Sequence, residues 1–146
     1  MKRYANITLQ NFVFNINNFE NVLFNNIENL VNSSIDAIYC AILNKIPKDL
    51  IGSTISDLSN KIRPGGQLIL VLTDTKTVCR LFSEGSMSND DFFNFINSIQ
   101  NLFFLSEFEE IFDKHLSKDF NVINTELQNN NLIISLQRTI NDRHVL

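Results

Sequence analysis

The stretch that decides the fold runs from Ile35-Asp-Ala-Ile-Tyr-Cys-Ala-Ile42 to Arg63-Pro-Gly-Gly-Gln-Leu-Ile-Leu-Val-Leu-Thr73. Its first part, Ile35 to Leu43, is a short, nearly continuous apolar run, the pattern of a strand buried on both faces. Pro47 suits the first turn of a helix, where its missing N–H is not needed. Leu50, Ile51, Ile55, Leu58 and Ile62 then recur at helical spacing with polar residues between them. Pro64-Gly65-Gly66 should stop that helix, because Pro cannot continue it and Gly can take positive φ. Gln67 to Leu72 is a second apolar run. Strand, crossover helix and strand of these lengths form a right-handed parallel unit.

Outward from this unit, the N-terminal side is less regular. Residues 4–16 alternate roughly, with a slip of phase near Asn11, and read as a strand with a bulge. Asn17 and Glu20 have the spacing of a helix cap. Phe19, Val22, Leu23, Ile27, Leu30 and Val31 follow helical spacing, so 18–31 reads as a helix. On the other side, Asp74 to Met87 reads as a loop with room for one helical turn around Val78 to Phe82. Ser88 with Asp91 caps a helix carrying Phe92, Phe95, Ile96, Ile99, Leu102 and Phe103. Ser106 with Glu109 marks a restart, and Phe108, Ile111, Phe112 and Leu116 continue the apolar face. Residues 120–127 and 132–139 read as two strands joined by a short Asn-rich hairpin loop. The tail after 140 is polar and should fray. The order predicts one α/β domain over 1–146: parallel strands in the middle of the sheet and an antiparallel hairpin at its end.

Composition narrows the function. The chain has 146 residues, with hydrophobic residues at 44% and a net charge of −4. That is enough for a real core and leaves no basic footprint for nucleic acid. Thirteen Phe and no Trp point to a core of Phe, Ile and Leu. No apolar stretch reaches the ~18 residues of a membrane span, and the N-terminus lacks the apolar segment of a signal peptide. Cys40 and Cys79 are far apart. The expectation is a cytoplasmic protein with reduced thiols.

The central unit and the closing hairpin carry a resemblance. Ile35-Asp-Ala-Ile-Tyr39, a helix ending in Leu58-Ser-Asn-Lys-Ile-Arg-Pro-Gly-Gly66, then Gln67-Leu-Ile-Leu70, resembles the second half of class I S-adenosylmethionine methyltransferases. The resemblance covers 35–139 and implies a truncated Rossmann-like sheet. Residues 1–34 form a divergent N-terminal part. In that family the first strand runs into a Gly-rich turn against the cofactor, and an acidic residue after the second strand holds the ribose. Here the glycines are Gly52, Gly65, Gly66 and Gly85, and Asn15-Ile-Asn-Asn18 stands where a glycine turn is expected. The same combination is similar to the N-terminal domain of anamorsin, a cytosolic iron–sulfur assembly factor with a degraded cofactor site. Its clusters sit in a Cys-rich region, which Cys40 and Cys79 do not replace.

The resemblance implies a non-catalytic, methyltransferase-like protein-interaction domain without cofactor or metal. The alternative is an S-adenosylmethionine-dependent methyltransferase, or a pseudoenzyme subunit, whose cofactor site is atypical or completed by a partner. No catalytic motif stands out. His115 reads as a solvent-edge residue near a helix C-terminus, and His144 lies in the tail. A residual ligand pocket would use Asp74, Thr75 and Asn44, at the carboxyl edge where open α/β sheets bind ligands. Phe93 and Phe104 fall off the main helical stripe. A helix buried on two sides explains them, and so does contact with a partner protein.

Overall fold

The computed structural model describes residues 2–98, 105–128 and 131–140. Six strands form one sheet: β1 Tyr4–Thr8, β2 Glu20–Leu23, β3 Ile35–Cys40, β4 Ile62–Thr73, β5 Phe120–Gln128 and β6 Asn131–Arg138. Their order is β2-β1-β3-β4-β6-β5. The first four are mutually parallel, and β6 runs antiparallel to both β4 and β5. The helices are α1 Ile51–Lys61, α2 Thr75–Ser83, α3 Asn89–Ser98 and α4 Leu105–Ile111, the last continued by a π-helical turn, Phe112–Leu116. Among the described residues no helix is long and apolar enough to cross a membrane. The α/β class, the parallel centre and the antiparallel hairpin are those the sequence predicts.

The β3–α1–β4 unit forms for the reasons its sequence suggests. Ile38 and Cys40 on β3 pair beside Leu68 and Leu70 on β4, and all four are fully buried. Ile51, Ile55 and Leu58 lie one turn apart on α1 and are at most 1% exposed. Each contributes about 1.5–3 kcal/mol of apolar burial. The same core takes in Ala5 and Ile7 of β1, Val22 of β2, Ile27, Phe108, Leu116, and Ile134 and Leu136 of β6. It therefore lies on one face of the sheet, under α1 and the α4 segment. Successive strand residues point to opposite faces, so Val71 faces away from this core. It is buried, as is Val78 of α2. Phe82 of α2 stacks on Phe92 of α3 with centroids 4.2 Å apart.

The Pro-Gly-Gly segment departs from its expected role. It does not form a turn between helix and strand, because β4 already begins at Ile62. Ile35 pairs with Ile62 and Ala37 with Gln67. One residue of β3, Asp36, thus faces four of β4, Arg63 to Gly66, which bulge out of the ladder. Gly65 takes φ +83°. A Cβ on Gly66 would stand 2.7 Å from the Asp36 carbonyl oxygen and 2.9 Å from that of Arg63. Asp36 anchors the amino edge: its carboxylate accepts the Arg3 backbone N–H at 2.7 Å and lies 3.4 Å from the Arg63 guanidinium. The Arg138 guanidinium donates to the Ile62 carbonyl.

The first thirty residues differ most from expectation. The strand predicted over 4–16 ends at Thr8, and a tight turn follows, in which Leu9 and Phe12 exchange backbone hydrogen bonds at 3.1 and 3.0 Å. The helix predicted over 18–31 is instead β2 and a 3₁₀ segment, Phe24–Asn29. Parallel pairing with β1 outweighs the helical pattern there. Asn18, at φ +70°, takes the left-handed conformation that Asn tolerates and turns the chain into β2. Downstream, the predicted loop after Thr73 contains a full helix, α2, with nine residues. The predicted helical region after Ser88 is present as α3 and α4. Its middle, 99–104, lies outside the described residues.

Candidate functional site

The four parallel strands bring their carboxyl ends to one edge: Thr8, Leu23, Cys40 and Thr73. From β1 the chain goes outward to β2 and then returns to β3 on the other side. Such a reversal of strand order opens a crevice at the carboxyl edge, the usual ligand position in open α/β sheets. A cavity of about 530 Å³ stands there, within the range of small-molecule sites. The exit from β1 supplies Leu9, Gln10 and Asn11, the exit from β2 supplies Asn25 and Asn26, and Lys45 closes the β3 side. Among its lining residues the polar groups are amides and one ammonium, with no carboxylate. The Lys45 Nζ lies 4.5 Å from the centroid of the Phe12 ring, a cation–π distance.

This lining was not legible as a site in the sequence. Asn is common along the whole chain, so Asn11, Asn25 and Asn26 do not stand out. The one usable signal was the Val-Leu-Phe run at 22–24 between Asn residues, had it been read as a strand.

Of the predicted pocket residues, Asn44 bonds to Thr73 at the end of β4, Asp74 and Thr75 follow it in the chain, and none of the three is at the cavity. Asn44 is 6% exposed. Its Oδ1 accepts the Thr73 N–H at 2.8 Å, and its Nδ2 donates to the Thr73 carbonyl at 3.4 Å. It clips the segment after β3 to the end of β4. Asp74 precedes α2 and accepts the Thr77 hydroxyl at 2.8 Å, and Thr75 is buried at 4% exposure. None of the three lines the cavity, which lies across β3 on the β1–β2 side. Phe93 stands on α3, 62% exposed, and Phe104 lies outside the described residues.

The titratable groups offer little chemistry. Cys40 is fully buried. Burial pushes its thiol from 9.0 up to about 12, against a smaller lowering by the Ile42 backbone. It is neither a nucleophile nor a thiolate ligand near neutral pH. Burial also raises Tyr39. His115 is exposed in the π-helical turn, as predicted, and His144 lies outside the described residues. No group of three His, Cys, Asp or Glu side chains among the described residues is placed to hold a metal ion.

The lining differs from the S-adenosylmethionine site that the resemblance implies in holding no carboxylate. The Leu9 backbone N–H donates to the Phe12 carbonyl, so it is not presented to a ligand. Phe24-Asn25-Asn26, which follow β2 in the lining, include no acid, and the first acid after β2 is Glu28 of the 3₁₀ segment. The carboxylate of such a donor suits Lys45, while its sulfonium and ammonium charges would find no carboxylate in the lining.

No family model matches the chain, and no curated protein does. The fold has many solved counterparts. An S-adenosylmethionine-dependent methyltransferase from Archaeoglobus fulgidus superposes with TM-score 0.60 at 6% identity, over 94% of this chain and 86% of its own. One from Mesorhizobium loti gives TM-score 0.59 at 7% identity, over 93% of this chain and 90% of its own. A chain of the complex formed by the Haloferax volcanii Trm112 methyltransferase activator gives TM-score 0.59 at 9% identity, over 96% of this chain and 72% of its own. Of the first two methyltransferase structures matched, the chain spans 46% and 65% of the length. The chain has the Rossmann-like fold of class I methyltransferases.

Proposed function

We propose that this chain is a methyltransferase-fold subunit that is not a self-sufficient enzyme and works through a protein partner. The observation that carries the proposal is the carboxyl-edge cavity. It keeps the position and volume of a ligand site while its lining residues include no carboxylate to hold the methyl donor. The exposed Phe93 on α3 is the proposed partner contact. The docking role of the anamorsin-type resemblance agrees with this. Its iron–sulfur role finds no support in the comparisons and is not part of the proposal.

A second reading keeps catalysis: a partner completes the cofactor site. The cavity itself favours it, as does the Haloferax volcanii neighbour, whose structure is a complex with a methyltransferase activator. Calorimetry with S-adenosylhomocysteine and S-adenosylmethionine separates these readings. The isolated chain should give no binding heat at ligand concentrations up to about 1 mM, a ceiling of roughly 4 kcal/mol in affinity. A dissociation constant below about 10 μM for the chain alone would overturn the proposal. Binding that appears only with a co-purified partner selects the second reading.

A further inference from the structure

The other end of the sheet carries an unused surface. Among the described residues, β5 is the outermost strand and pairs only with β6. It has nine residues, of which only Phe120 is buried. Its apolar side chains are open to solvent: Val122 at 47%, Ile123 at 47% and Leu127 at 55%. Edge strands are usually protected by Lys, Pro, inward charges or a covering element. This one has neither Lys nor Pro, and Glu126 is its single charge. Its open row of N–H and C=O groups spans about 30 Å at strand rise.

The side-chain pattern points to the occupant. Asn121 to Val122 and Asn124 to Gln128 pair regularly with β6, with a shift of register between the two segments. Val122 and Ile123 therefore both oppose Leu136, on the face that Thr125 and Leu127 share through Ile134 and Leu132. An antiparallel copy of β5 centred on Thr125 sets Ile123 against Leu127 twice on that face, and Asn124 beside Glu126 on the other. Apolar groups then meet apolar groups, and each carboxylate meets an amide donor. Centring on Glu126 would oppose the two carboxylates. Centring on Asn124 would oppose Val122 to Glu126 and Asn121 to Leu127, residues of opposite faces.

We propose that two copies of this chain pair antiparallel through β5, with the two-fold axis at Thr125, so that their six-stranded sheets become one of twelve. The site is isologous and lies at the far edge from the cavity, so it does not depend on how the cavity is used. One strand pair with two apolar clusters falls at the low end of specific interfaces, so the dimer is concentration-dependent, with a dissociation constant of about 10–100 μM.

Sedimentation and light scattering between about 1 and 500 μM test it, a range that brackets that constant. The mass should rise from 16.8 kDa towards twice that value. Ile123→Lys with Leu127→Lys should hold the monomer mass throughout, with unchanged circular dichroism and melting temperature at low concentration. In a Cys79→Ser background, oxidation of Thr125→Cys should join two copies, since directly opposed Cβ atoms lie within disulfide reach, while Asn121→Cys should not. A wild-type chain that stays monomeric at 500 μM overturns the proposal. So does a dimer of equal strength in the double lysine variant, or one abolished only by Phe93→Ser.

Discussion

Replacing Gly66 by Ala tests the reading of the Arg-Pro-Gly-Gly segment as a bulge pinned by close packing. Gly66 has an ordinary φ, so the cost is steric rather than conformational. The added methyl would meet the Asp36 carbonyl oxygen at 2.7 Å, the Arg63 carbonyl oxygen at 2.9 Å and the Ile62 Cγ2 at 2.9 Å. Two of these are backbone atoms, and one belongs to the neighbouring strand. Relief requires β3 and β4 to move apart where Ile35 and Ile62 begin their ladder. Overpacking of this kind costs about 1–3 kcal/mol, and backbone neighbours place it near 3. With a urea m-value of about 2 kcal/mol/M, the unfolding midpoint should fall by about 1.5 M. Gly65→Ala is the control, because its methyl finds only the Ile140 side chain at 3.6 Å. Its cost is that of φ +83°, about 1–2 kcal/mol for a residue with a Cβ. Gly52→Ala, in the first turn of α1 with His115 at 3.4 Å, should be neutral or slightly stabilising, since Ala is the better helix former. Urea unfolding followed by circular dichroism ranks the three. A Gly66→Ala midpoint equal to or above that of Gly65→Ala would refute the packing explanation.

Asn44→Ala should cost about 2 kcal/mol, because it leaves the Thr73 N–H without its partner, and the urea midpoint reads this directly. Thiol titration should find one fast group in the native protein, the exposed Cys79, and a second only on unfolding, the buried Cys40. Burial raises Cys40 in the folded state, so the native chain binds the proton more tightly than the unfolded chain between pH 9.0 and about 12. Its contribution to stability is complete below that window and is lost as pH rises through it. The alkaline fall in melting temperature should therefore be shallower in Cys40→Ala than in the parent.

The central unit was legible because two independent patterns agree there. Both strands are continuous apolar runs, and the segment between them has a helical stripe that the structure buries as Ile51, Ile55 and Leu58. The hairpin was legible for the same reason, with strands read within a residue of Phe120–Gln128 and Asn131–Arg138. At 18–31 the patterns conflicted. Val22, Ile27 and Leu30 satisfy a helix, and the structure buries all three, but in a strand and a 3₁₀ turn, leaving Leu23 and Val31 at 41% and 68% exposure. What decided the outcome was pairing with β1, a contact that local periodicity cannot show. The same gap hid the cavity, since its walls are the exits of β1 and β2 and exist only once β2 is recognised as a strand.

The state of that cavity follows from how the chain crosses from β1 to β2. A crossover between parallel strands usually takes a helix. Here residues 9–19 contain none, and aromatic side chains cover the sheet in its place. Phe19 stacks on Tyr4 at 5.2 Å, and Phe14 and Phe19 set their edges against Tyr39 at 6.1 and 6.5 Å. Asn6, fully buried on β1, donates to the Phe14 carbonyl at 2.8 Å and holds this loop down. A helix in that position would point its free N–H groups at a ligand in the crevice. The loop has no such end, and the Leu9–Phe12 turn closes its own hydrogen bonds. The missing glycine is thus the lesser part of the difference from a cofactor-binding turn. Small residues at Gln10 or Asn11 would enlarge the opening without supplying the helix terminus that the crossover lacks.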